Sequence, residues 1–139
     1  MTRYLVLCTA NRCRSQMAHG WLAHLGGEDV EVFSAGTKPG GVHPLSIRVM
    51  AEAGVDIAGH TSDPVNLYLD QDFDAVVTVC GSAKEACPVF PGAKRTIHHA
   101  FPDPDDKTGA KTEEQLLPVF RDVRDQIKRW AKTFLNDGT

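Results

Sequence analysis

No stretch of the 139-residue chain is apolar for long enough to cross a bilayer. The N-terminal residues lack a secretory pattern, since a lone Arg3 precedes only a short apolar run before Cys8. A soluble, cytoplasmic protein is therefore expected. There is no basic block either: 15 lysines and arginines are interspersed with 18 acidic residues, for a net charge of −3. That balance argues against wholesale binding to nucleic acid or an anionic membrane, so any recognition of a phosphate-like group must be local. Repeats, low-complexity tracts and linkers are absent as well, and residues 1–139 read as one domain long enough to bury a core. The four cysteines lack the paired CxxC spacing of a zinc site. In a reducing compartment they point to catalytic or redox chemistry rather than to a permanent disulfide scaffold.

What is present is organised around Cys8-Thr9-Ala10-Asn11-Arg12-Cys13-Arg14-Ser15. This stretch follows the apolar run Tyr4-Leu5-Val6-Leu7 and precedes Gln16-Met17-Ala18-His19-Gly20-Trp21-Leu22, which reads as strand, tight loop and helix. A thiol thus stands where a strand ends and a helix opens. The loop amides of Thr9, Ala10, Asn11, Arg12, Cys13 and Arg14, with the helix dipole behind them, favour an anion, and the Arg14 guanidinium can grip two of its oxygens. The same field is expected to depress the Cys8 pKa and supply a thiolate nucleophile. Ser15 is placed to donate to that thiolate. Asn11, which tolerates left-handed backbone, is placed to hold the loop closed.

Val30-Glu31-Val32-Phe33-Ser34-Ala35-Gly36 alternates and then breaks, predicting a second strand. Residues 43–53 predict a helix with Pro44 in its first turn, Ile47, Met50 and Ala51 on its inner face, and Gly54 as its stop. Thr61, Ser62 and Asp63 read as capping residues before a short helical piece over 65–69. Residues 73–80 form the clearest strand, apolar enough for burial on both faces. Residues 81–88 read as a short helix or helical loop, and 94–101 as a fourth, less buried strand, on which adjacent His98 and His99 point to opposite faces. After a polar loop, Thr112 and Gln115 have capping-box spacing. Leu116, Val119, Phe120, Val123, Ile127, Trp130 and Phe134 then form the stripe of a last helix. Strands alternating with helices over short connections predict an α/β fold with a parallel sheet and helices on both faces.

The chain resembles the thioredoxin-coupled arsenate reductases, which share the fold of the low-molecular-weight protein tyrosine phosphatases. The resemblance rests on CTANRCRSQMA at 8–18, FSAG at 33–36, HTSD at 60–63, VVTVCGSAKEACP at 76–88 and FPDP at 101–104. It implies a four-stranded sheet of order 2-1-3-4. By similarity Asp103 matches the general acid of this fold, which in the phosphatases is followed by Pro and then by a Tyr that walls the substrate ring. Here that position is Asp105, which suits a small bare oxyanion better. Asn11, Ser34 and Asp63 match positions of a potassium site in some relatives. His19 stands where those relatives have Glu, and an imidazole is a poor ligand for a hard alkali cation, which argues against potassium.

The Cys8 loop is common to reductases and phosphatases, so the choice between them falls to Cys80 and Cys87. Neighbouring parallel strands end on the order of 5 Å apart, which makes attack of Cys80 on Cys8 reasonable if the first and third strands pair. Cys87, seven residues on, would lie about 10 Å from Cys80 along an intact helix, so pairing the two requires that segment to unwind. The resemblance implies a triple-cysteine relay: a Cys8 adduct of arsenate, then a Cys8–Cys80 disulfide, then a Cys80–Cys87 disulfide reset by thioredoxin. Arsenate is the implied substrate, with phosphate or sulfate as analogues. No cofactor is implied, nor nucleic acid or membrane as partner, and a monomer is expected. The alternative is a phosphatase that hydrolyses phosphate monoesters through phosphocysteine at Cys8, and a third reading is an oxyanion or redox sensor without turnover.

Overall fold

Strand β1 (Thr2–Cys8) runs through the middle of the sheet, as the full burial of Leu5, Val6 and Leu7 requires. The computed structural model describes residues 1–79, 90–106 and 108–137. On one side β1 pairs with β2 (Val30–Gly36), setting Cys8 opposite Gly36. On the other it pairs with β3 (Phe73–Thr78), setting Leu7 opposite Thr78. Strand β4 (Ala93–His98) closes the edge beside β3, so the order is β2-β1-β3-β4 and every pairing is parallel. The fold is the α/β arrangement expected from the chain.

Alternation along the strands splits the core in two. Val6, Cys8, Ala75 and Val77 face a cluster built with α1 (Arg14–Gly26), α2 (Pro44–Glu52) and α3 (Glu113–Asp137). Leu5, Leu7 and Val76 face the other way, against Ala35, Phe73 and Phe90, with Val65 and Tyr68 of a 3-10 turn (Val65–Tyr68) packed beside them. Three local devices fix the helices. Pro44 sits in the first turn of α2, with His43 Nδ1 accepting from the Leu45 amide at 3.0 Å. Thr112 and Gln115 cap α3 reciprocally, at 2.9 and 3.2 Å. Trp21 Nε1 donates to Arg124 O at 3.1 Å, binding α1 to α3.

Several details differ from the sequence reading. The inner face of α2 is Leu45, Ser46, Val49 and Met50, whereas Ile47 is half-buried and Ala51 exposed. The reason is the partner: Met50 of α2, with Val55 and Ile57, packs directly over Gly20 of α1. On α3 the stripe begins at Leu117, while Val119 is 38% exposed at its margin. Strand β4 stops at His98, so His99 leaves the sheet and packs on Phe101 and Trp130. Strand β3 ends at Thr78, although the Val79 amide still donates to Leu7 O at 3.0 Å. The helix expected over 81–88 lies outside the described residues.

On α1, His19 stacks on His60 with ring centroids 4.1 Å apart, and His19 Nδ1 pairs with Ser34 Oγ at 2.9 Å. Burial, and then the neighbouring His60, push the His19 pKa down to about 3. Between that value and the ordinary 6.5 the unfolded chain binds a proton that the folded chain refuses. This contribution to stability is complete above about pH 6.5 and is lost as the pH falls, and the lowered pKa of His60 adds in the same sense.

Two outcomes are expected. The urea midpoint should fall between about pH 6.5 and 4.5, a window above ordinary carboxylate titration, and His19→Gln should flatten much of that slope; parallel curves for parent and variant would contradict the assignment. A methyl on Gly36 would meet Thr9 O at 2.5 Å and the Asn11 amide nitrogen at 3.0 Å, both backbone atoms that cannot step aside. Gly36→Ala should therefore lower unfolding free energy by about 1–3 kcal/mol, measured by urea denaturation.

Candidate active site

Strand β1 delivers Cys8 to the point where the chain turns into the loop at 9–13, and α1 begins at Arg14. Cys8 is 2% exposed. Its sulfur lies 3.1 Å from Ser15 Oγ and accepts from the Asn11 amide at 3.3 Å. Asn11 is in the left-handed region (φ 51°) and is fully buried. Its Oδ1 accepts from the Asp63 amide at 3.1 Å, which orients the side chain so that Nδ2 donates to Ser15 Oγ at 2.7 Å. With that lone pair occupied, the Ser15 hydroxyl is free to aim its proton at the Cys8 sulfur. Ser15 thus lies within α1 and serves the loop, not as an N-terminal cap.

The outside of the loop is fastened to three neighbours. Lys38 and Gly40 amides donate to the carbonyls of Thr9 and Ala10, each at 2.9 Å, and the His43 amide donates to Arg12 O at 3.2 Å. Ser62 Oγ lies 3.0 Å from both Ala10 O and Asn11 O. Gln16 Nε2 reaches Asn11 O and Thr61 O at 3.1 and 3.0 Å, while its Oε1 pairs with His60 Nδ1 at 3.0 Å. Thr61, Ser62 and Asp63, read from sequence as helix caps, brace this loop instead, and the 3-10 turn after them has no side-chain cap. Nothing in the spacing of Gln16 or Ser62 marks this role, because their partners lie up to 52 residues away.

The space so enclosed is a cradle of about 50 Å³ bounded by Cys8, the loop, Arg14, Asp103 and Asp105. Arg14 is 4% exposed; its Nη1 lies 3.4 Å from Phe101 O and its Nη2 3.5 Å from Asp103 Oδ2. Arg12 bonds Asp105 Oδ2 through Nε at 3.1 Å. Cys13 is buried behind the loop, and burial pushes its thiol pKa far above the ordinary value, so it stays protonated at neutral pH. Among the described residues the buried Thr9 hydroxyl has no hydrogen-bond partner. Cys80 and Cys87 lie outside the described residues. A larger, open groove of about 880 Å³ between β4 and α3 is lined by His98, His99 and Trp130, with no cysteine among the described residues that line it, and the loop thiol belongs to the small cradle.

The side chains of Asn11, Ser34 and Asp63 each bond within the protein. Asn11 Oδ1 is taken by the Asp63 amide, Ser34 Oγ by His19, and the Asp63 carboxylate by Thr61 Oγ1 at 2.7 Å and the Tyr68 hydroxyl at 3.1 Å. Among the described residues no group of three His, Cys, Asp or Glu side chains is arranged to hold a metal ion, and no helix is long and apolar enough to cross a membrane.

The chain is 45% identical to the protein named arsenate reductase from Halalkalibacterium halodurans, over 95% of this chain and 94% of that one. A solved arsenate reductase in its phosphate binding state superposes with a TM-score of 0.80 at 33% identity, covering 98% of both chains. The thioredoxin-dependent arsenate reductase of Corynebacterium glutamicum superposes with a TM-score of 0.65 at 26% identity, covering 97% of this chain and 62% of that one. Residues 3–137 match the family model described as low molecular weight phosphotyrosine protein phosphatase. With that match spanning the sheet, the Cys8 loop and helices α1, α2 and α3, the chain belongs to the low molecular weight phosphotyrosine protein phosphatase family.

Proposed function

We propose that this protein reduces arsenate to arsenite in the cytoplasm, with Cys8 as nucleophile and thioredoxin as the source of electrons. The observation that carries the reading is the Cys8 cradle: a buried sulfur held by Ser15 and the Asn11 amide, with Arg14 and Asp103 beside it, in a chain whose relatives are named arsenate reductases. The loop amides and Arg14 hold the oxyanion, Cys8 attacks arsenic, and Asp103 protonates the oxygen that departs as water. Cys80 then attacks the Cys8 sulfur. The S–As bond breaks with its electron pair going to arsenic, arsenite leaves, and a Cys8–Cys80 disulfide forms. Cys87 attacks Cys80, freeing the Cys8 thiolate, and a dithiol protein reduces the resulting Cys80–Cys87 disulfide. The bond from the Val79 amide to Leu7 O, one residue before Cys80 and one before Cys8, supports the attack of Cys80 on Cys8. The cycle needs no bound cofactor and no metal.

The rival chemistry, hydrolysis of a phosphocysteine at Cys8, uses the same cradle and is favoured by the family's other activity. The deciding assay couples arsenate reduction to NADPH through thioredoxin and its reductase, with phosphate monoester hydrolysis run in parallel. Multiple turnover of arsenate is expected, and Cys8→Ser, Cys80→Ser and Cys87→Ser should each abolish it. Cys87→Ser should still release about one arsenite per chain, because the relay stops only after the first disulfide. Two or more arsenites per chain, or ester hydrolysis untouched by loss of Cys80 and Cys87 alongside no thioredoxin oxidation, would sink the proposal. Asp103→Asn should lower the arsenate-dependent kcat by about 10²–10⁴-fold with Cys8 alkylation by iodoacetamide preserved.

A further inference from the structure

The rim of the Cys8 cradle carries a set of contacts that the proposed cycle does not use. Arg12, on the outer turn of the loop, bonds Asp105 Oδ2 at 3.1 Å and Gly40 O at 2.6 Å. The other Asp105 oxygen lies 3.4 Å from Nε2 of His43, the residue that caps α2. The Asp105 amide in turn donates to Asp103 Oδ1 at 3.1 Å. One carboxylate thus touches three segments around the mouth, at 9–13, 37–43 and 101–106. The Arg12 stem lies against Gly40 so closely that a methyl there would sit 2.8 Å from Arg12 Cδ, which fixes where the guanidinium can reach. Side-chain exposures of 30% for Arg12, 18% for Asp105 and 13% for His43 put the bridge partly out of water, where such a pair holds its geometry better than a fully solvated one.

Beneath the bridge only about 50 Å³ is left, room for one compact ion. We infer that the Arg12–Asp105–His43 bridge is a clasp that sets substrate choice: it holds the mouth of the cradle to the width of a bare oxyanion and turns aryl phosphate groups away. Asp105 acts in two ways. It draws Arg12 across the opening, and it puts a carboxylate where an aromatic substituent would need an apolar wall, so discrimination comes from what the rim repels as much as from what the loop attracts. The inference rests on reading the Cys8 cradle as an oxyanion site.

The test compares two probes, inorganic phosphate and phenylphosphonate, by calorimetry and by protection of Cys8 from iodoacetamide. The parent protein should bind phosphate and bind phenylphosphonate at least about tenfold more weakly. Asp105→Ala and Arg12→Ser should each reduce that ratio by about tenfold, the ratio being read against each variant's own phosphate affinity. The double variant should go no further than the stronger single change, since both remove one contact. Asp105→Glu, which keeps the charge, should retain most of the discrimination. Thermal melting confirms folding, and Arg12→Ser carries the test if Asp105→Ala does not fold. A ratio near one in the parent, or a ratio unmoved in both single variants, overturns the clasp while leaving the oxyanion site intact. Absence of phosphate binding in the parent instead overturns the reading of the site itself.

Discussion

The site depends on one constraint: the carbonyls of residues 9–12 must be held outward. A tight loop whose carbonyls turned in would meet an anion with the negative ends of its peptide dipoles. Here donors from α1, from the segment after β2 and from the segment before the 3-10 turn each take a loop carbonyl, and Asn11, in left-handed backbone, ties the loop to Ser15 and Asp63. The loop is therefore set before any ligand arrives, and no reorganisation is required at the moment of reaction. Gly36 belongs to the same constraint, because the loop backbone packs directly on its Cα and leaves no room for a side chain.

A second consequence concerns charge. Placing the Arg14 guanidinium at 4% exposure costs solvation that a single partner does not restore, and Arg14 spans both the Phe101 carbonyl and the Asp103 carboxylate. In the proposed cycle an incoming oxyanion competes with Asp103 for that cation, which places the carboxyl beside the oxygen it is to protonate. Binding and acid catalysis are coupled through one guanidinium. Phe101 anchors the arrangement from behind, buried against Trp130 and His99, so the aromatic cluster at the end of β4 sets the height at which Asp103 stands over the cradle.

The parts of this architecture that depend on near neighbours were legible in the chain. Strand β2 runs over Val30–Gly36 as its alternation predicts, Thr112 and Gln115 form the box their spacing announces, and Cys8, Asn11, Arg14 and Ser15 converge because one short loop carries them all. Contacts across the fold were not legible. Gln16 and Ser62 look like an ordinary helix residue and an ordinary cap until the segment at 60–63 is folded onto the loop, and the inner face of α2 is set by its packing over Gly20 rather than by its own periodicity. Asp105 was visible as a departure from an aromatic position. Its bond to Arg12 spans 93 residues, and no local pattern encodes it.

Parallel pairing connects these two levels. Because β1, β2 and β3 run in the same direction, their C-terminal ends gather on one edge, and the register that sets Leu7 opposite Thr78 also brings Val79 to the Leu7 carbonyl. A slip of one residue would turn Val76 and Val77 to the wrong cores, so the burial that stabilises the sheet also fixes where the chain leaves β3. In the proposed relay that exit is where hydrolysis and reduction part, since the residue after Val79 is the thiol that must reach Cys8. In that proposed relay core packing bears on redox chemistry as well as on stability: Val77 and Ala75 hold the strand that leads to the second thiol, whereas the fastenings of the cradle run through the segment after β2, α1 and the 60–63 segment.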